Sequence, residues 1–188
     1  PAPSYVFELS EAGLAYSRPA MPSGAEMGFA AFEPGTLSVS PVNDNIQKTD
    51  VLANVLARVA PMEADAKKRR TAALILPDYA ARVTVLDFDA LPATAEEQSA
   101  LVRFRLRKSL PFDVEAAAVS HYVQPKNVDT GKTEVVAVTV AFEVIARYEA
   151  MFRGANFQPG EITTSALAAL ELYNEGGVAV IAKLAGRV

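Results

Sequence analysis

Apolar positions in this chain change period along its length, and the change marks out its elements. The first 46 residues read as short alternating strands. Tyr5 to Leu9 and Leu14 to Arg18 flank a turn at Glu11-Ala12-Gly13, which is a hairpin signal. A loop marked by Pro19, Pro22 and Gly24 leads to a strand near Met27 to Phe32, and Pro34-Gly35 precedes a further short strand expected at Leu37 to Val42. The period then switches. Val51, Leu52, Val55, Leu56 and Val59 recur at helical spacing, so Asp50 to Ala60 is expected as a helix stopped by Pro61. Buried-type strands follow at Thr71 to Leu76 and Val83 to Phe88.

The stretch from Arg82 to Val123 is the most completely specified part of the chain. Thr94 and Glu97 have capping-box spacing, with the Glu97 carboxylate expected to reach back to the Thr94 amide. The helix they open should run from Ala95 to about Ser109. Arg103, Arg105, Arg107 and Lys108 near its end would complement the negative pole of the helix by about 0.3–1 kcal/mol each. Leu110-Pro111-Phe112-Asp113 ends it, because the residue before a proline is pushed toward extended geometry. Strands near Val119 to Gln124 and Glu134 to Ala141 flank a turn at Asn127 to Lys132, and the valine-rich second one reads as a central strand. Glu143 to Arg153 is an amphipathic helix stopped by Gly154. Pro159-Gly160 leads to a short strand at Glu161 to Thr163, a helix from Ser165 to Tyr173, a break at Gly176-Gly177 and a last strand, Val178 to Leu184. A strand-only opening followed by alternating strands and helices is an α/β chain with a mixed sheet.

Composition narrows the function classes. At 188 residues, with 51% hydrophobic and 21% charged residues, the chain is long enough to bury a core and too apolar to be disordered. A net charge of -4 gives no general field for nucleic acid. The lack of cysteine excludes disulfides, thiolate chemistry and cysteine metal sites. No apolar run reaches the roughly 18–20 residues of a membrane span. No signal peptide is expected, and Pro1 in place of Met suggests trimmed ends.

Candidate chemistry is sparse. Gly131-Lys132-Thr133 imitates the end of a phosphate loop, but Lys126 stands where that motif needs its first glycine, and the segment lies between two strands; it reads as a hairpin turn. Lys67 to Arg70 is a basic run, read as a solvated loop or strand entrance. Asp87 and Asp89 share one strand face and could hold Mg²⁺, yet no third ligand is evident and a solvent-facing stripe accounts for them. His121, the only histidine, reads as a strand residue on a partly buried face. No catalysis is expected.

One ordered set of blocks has a family likeness. It comprises Leu76-Pro77, Val83 to Phe88, Leu91-Pro92, Leu101 to Phe104, Lys108 to Asp113, the valine strand, the break Gly154 to Pro159, and Thr164 to Leu172. This set resembles the N-terminal half of the actin-like type IV pilus assembly protein PilM family. It is similar, more distantly, to the cell-division protein FtsA and the cytoplasmic domain of type II secretion protein L. The resemblance implies an α/β fold with an actin-like ATPase (ribonuclease-H-like) lobe, residues 1–77 and 158–188, and a small inserted α+β subdomain, residues 78–157. It further implies a cytoplasmic scaffold, peripheral to the inner membrane, that binds the cytoplasmic tail of an inner-membrane pilus or secretion protein. Leu110, Pro111, Phe112 and Asp113 are the expected partner-binding residues, by their position in the motif; helix termination and core filling are the competing account of the same four. The family's phosphate hairpins depart here. Glu8 and Glu11 accompany Gly13 in the first, and Val180 to Gly186 lacks an aspartate where the second should start. No cofactor is therefore expected, neither ATP nor metal. The alternative is an actin-like ATP-binding protein represented by its first half, and a small hydrolase using the Asp87/Asp89 face ranks last.

Overall fold

The computed structural model describes residues 2–61 and 68–171. The expected break at Gly176-Gly177, the strand from Val178, the second hairpin and Lys67 lie outside them. The chain divides into two compact units: residues 1–40, 44–78 and 146–188, and residues 41–43 and 79–145.

The first unit holds a five-stranded mixed sheet. Its strands are β1 (Tyr5–Ser10), β2 (Gly13–Pro19), β3 (Ala25–Ala31), β4 (Arg70–Leu76) and β8 (Phe157–Thr164), in the order β3-β2-β1-β4-β8. β1, β2 and β3 form an antiparallel meander, whereas β1, β4 and β8 run parallel. Gly13 is forced by packing: a Cβ there would lie 2.4 Å from the Ala30 carbonyl oxygen, closer than a non-bonded carbon and oxygen can approach. Helix α1 (Thr49–Val59) buries Leu52, Val55, Leu56 and Val59, while Val51 stays half-buried. Phe7, Phe152 and Phe157 are fully buried; the Phe7 ring lies 5.0 Å from Phe157 and 5.1 Å from Phe152.

Two expectations change in this unit. Leu37 to Val42 is not a strand: Leu37 makes one bridge to Ile46, and the Asn45 and Asp44 side chains accept from the Ser40 and Ile46 amides instead. β8 is longer than Glu161 to Thr163 and runs straight through Pro159-Gly160. Among the described residues it is an edge strand, where proline is tolerated, and the register shift opposite Ala72/Ala73 absorbs the additional residue. The helix after it, α4, starts at Ser165 as expected and spans Ser165–Leu170, with Asp78 Oδ1 accepting from the Ala166 amide at 2.7 Å; the expected end at residues 172–173 lies outside the described residues.

The second unit is built on a three-stranded antiparallel sheet of β5 (Arg82–Phe88), β6 (Ala117–Val123) and β7 (Thr133–Ala141), in the order β5-β7-β6. The valine-rich β7 is central, as its pattern indicates. Helix α2 (Ala95–Leu106) covers one face, and Val102 and Leu106 pack with Phe88, Val114, Val135 and Ala137. The helix opens on the Thr94 cap, whose hydroxyl oxygen accepts from the Glu97 amide. Its reciprocal partner differs from expectation, since the Glu97 carboxylate accepts from the Thr94 hydroxyl at 2.8 Å. α2 stops at Leu106, and residues 107–109 continue only as turns. Helix α3 (Phe142–Gly154) follows β7. Asn156, at φ 64°, supplies the left-handed residue that turns the chain after it, so the stop lies beyond Gly154.

Candidate functional site

The segment from Leu106 to Ala117 is a strap held at both ends. Before it, the Ser109 and Leu110 amides both donate to the Leu106 carbonyl, closing the last turn of α2. Leu110 is half-buried against the α2 core, and Val114 is buried within it. Between these anchors Pro111 and Asp113 are exposed and Phe112 is half-buried. The Asp113 carboxylate accepts from the Glu115 amide at 3.0 Å and caps the 3-10 turn Val114–Ala116. Leu110 thus points its surface inward, and Pro111, Phe112 and Asp113 form a short rim.

The arginines at the end of α2 fix this strap. Arg103 Nη1 donates to the Val114 carbonyl at 2.9 Å and to the Ala117 carbonyl at 3.4 Å. Arg107 pairs with Glu115 at 2.8 Å across an exposed surface. Arg105 lies over the Phe88 ring, 5.2 Å from its centroid. Dipole complementation explains why cations suit this end of the helix, but the structure gives three of them separate partners. Those partners lie too far along the chain for sequence spacing to signal them.

The other candidates separate. Gly131-Lys132-Thr133 belongs to the hairpin joining β6 and β7, where Gly131 sits at φ 66° and its amide donates to the Asn127 carbonyl. Arg70 opens β4, and its guanidinium donates to the Ala60, Pro61 and Ala155 carbonyls while stacking 4.0 Å from the Phe157 centroid. Lys68 and Arg69 are exposed. Asp87 and Asp89 are both exposed, and Asp87 faces Glu134 across the β5–β7 ladder. His121 is half-buried opposite Ala137, on the α2 side of the sheet. Among the described residues no group of three or more His, Asp or Glu side chains gathers in metal-holding geometry.

At the β1–β2 hairpin the acids have structural partners. Glu8 Oε1 accepts from the Ser165 hydroxyl at 2.7 Å, and Glu11 Oε1 accepts from the Val39 amide at 3.2 Å. Among the described residues no helix is long and apolar enough to cross a membrane.

No family model matches the sequence, and no curated protein matches it. Solved structures do. A chain of the PilM-PilN type IV pilus biogenesis complex superposes with a TM-score of 0.69 at 18% identity, covering 90% of this chain and 49% of that chain. The cytoplasmic domain of EpsL, an inner membrane component of the type II secretion system of Vibrio cholerae, gives a TM-score of 0.54 at 15% identity. It covers 87% of this chain and 58% of that one. The chain spans about half the length of the first and less than two thirds of the second. At these identities the likeness establishes a fold. The mixed five-stranded sheet with a second three-stranded sheet is that of the actin-like ATPase-fold proteins to which PilM and EpsL belong.

Proposed function

We propose that this chain is a non-catalytic docking module of a type IV pilus or type II secretion assembly. It works in the cytoplasm and holds the cytoplasmic tail of an inner-membrane partner. The observation that carries the reading is the fold likeness, over 90% of this chain, to a protein solved in a pilus biogenesis complex. The strap supplies the site: Leu110 anchors it, and Pro111, Phe112 and Asp113 offer an apolar and acidic rim to an extended peptide. Phe112 is suited to that role because it is half-buried and is not one of the side chains packed into the α2 core. Its ring can gain buried area from a partner without first leaving a filled core.

The test is a pull-down and calorimetric titration with the tail of the membrane protein encoded alongside. Phe112→Ala is expected to weaken binding with the circular dichroism spectrum unchanged. Loss of the fold would instead assign Phe112 to the core. The same reading expects no ATP binding, so saturable heat on titration with Mg-ATP would favour an actin-like nucleotide-binding protein.

A further inference from the structure

The edge strands of the five-stranded sheet are finished differently. β8 carries Pro159, Glu161 and a register shift, devices that make an edge a poor template for another strand. β3, at the other edge, carries none of them. It has no proline and no lysine, and it runs in unbroken register with β2 along its whole length. Among the described residues no strand pairs with its open side.

Backbone bonds fix which groups that open side presents. The Ala20 amide donates to the Gly24 carbonyl and the Phe32 amide to the Ala12 carbonyl, so Gly24 and Phe32 turn toward β2. By alternation Glu26, Gly28 and Ala30 do the same. The N–H and C=O groups of Ala25, Met27, Phe29 and Ala31 therefore point outward in the plane of the sheet. Met27 is 82% exposed and Phe29 51%. The strand's one charge is drawn inward, because Glu26 accepts from the Arg18 guanidinium of β2 at 2.9 and 3.1 Å.

We propose that β3 pairs antiparallel with β3 of a second copy of the chain, the two-fold axis passing through Gly28. That register uses the whole strand. Met27 stands opposite Phe29 of the copy and Ala25 opposite its Ala31, each such pair exchanging two backbone hydrogen bonds. The exposed thioether and ring then cover each other, a contact both groups favour. Gly28 meets its own counterpart at the axis, where the Tyr16 ring occupies the space of a Gly28 side chain. The Tyr16 hydroxyls of the two copies come together there, and a hydroxyl both donates and accepts. Charge is consistent with the same occupant. Glu26 is neutralised by Arg18 and faces Ala30 of the copy, while Glu33, just past the strand and paired with Lys48, faces its Ser23. A charged partner strand finds no counter-charge on this edge, and a copy finds no like charge. The edge is complementary to itself, as an isologous interface requires. A contact of one strand falls below the ~1,200 Å² of a standard interface, so the dissociation constant should be on the order of tens of micromolar. The proposal involves neither the strap nor the tail-binding reading.

Sedimentation equilibrium on the full chain between about 5 and 500 µM should show the mean mass rising from one chain toward two. Hydrogen exchange read by NMR over that range should show concentration-dependent protection on alternate amides, those of Ala25, Met27, Phe29 and Ala31. The Glu26, Gly28 and Ala30 amides, bonded to β2, should be protected throughout. Met27→Pro removes an outward N–H that β2 does not use and should weaken association about tenfold or more, with the circular dichroism spectrum unchanged. Met27→Lys, at a site already exposed, should do the same and serves if the proline perturbs the fold. Val128→Lys, an exposed position in the other unit, should leave association unchanged. A chain still monomeric at about 500 µM would overturn the proposal and leave the edge to a strand of a different protein. Association untouched by the Met27 variants, or protection that does not alternate along β3, would overturn it as well.

Discussion

Replacing Arg103 by alanine probes the strap most directly. The guanidinium makes one good charged hydrogen bond, 2.9 Å to the Val114 carbonyl, and one long one, 3.4 Å to the Ala117 carbonyl. Hydrogen bonds to charged groups contribute about 1.5–3 kcal/mol. Two features place this one at the lower end. Arg103 is only half-buried, and the Val114 carbonyl keeps the Ala117 amide as a donor. The expected destabilisation is therefore about 1.5 kcal/mol. With a urea slope of about 2 kcal/mol/M, the midpoint should fall by about 0.7 M. Arg103→Lys keeps the charge but not the planar fork and should recover less than half of the loss. Two-dimensional NMR should show the largest amide shifts at Val114 to Ala117, with β1 to β4 unmoved. Because the strap residues follow these anchors, tail affinity should fall as well. An Arg103→Ala midpoint within about 0.2 M of wild type, together with unchanged strap shifts, would refute the reasoning.

Leu106 is fully buried in the α2 core, and Leu106→Ala should cost about 2–5 kcal/mol in denaturant unfolding. Gly13→Ala drives a Cβ into the Ala30 carbonyl and the Phe29 ring, so a loss of about 1–3 kcal/mol is expected in thermal unfolding. Tyr148 is buried, and burial pushes its pKa up to about 12 from 10.0. The Asn45 side chain opposes that rise and Asp44 adds to it. The unfolded chain gives up this proton first, so the contribution is fully present below pH 10 and is lost as pH rises through about 12. Wild type should lose about 2–3 kcal/mol relative to Tyr148→Phe across that window, and parallel pH profiles for the two proteins would contradict this.

Local signals were legible where the chain is local. The Thr94 cap, the α1 stripe and the central position of β7 each follow from a few neighbouring residues. What stayed hidden depends on partners far apart. Pro159-Gly160 reads as a turn until β8 is known to be an edge strand among the described residues, where proline is tolerated. The Leu37 segment reads as a strand until the Asn45 side chain takes over the Ser40 amide. Arg70 and Arg103 serve carbonyls 9 to 85 residues away, which no spacing rule reaches. The Asp87–Glu134 opposition needs a strand register, and register is fixed by packing across the whole sheet. Of the strap, sequence indicated where the helix breaks, but not that Leu110 turns inward while Phe112 remains half-buried.

The central claim is that the strap holds a membrane protein's tail. It is tested most directly by calorimetric titration of that tail peptide into wild type and Phe112→Ala. The account predicts saturable one-to-one binding to wild type and an affinity about tenfold or more lower for the folded variant. No binding to wild type, or equal affinity for the two proteins, would contradict it.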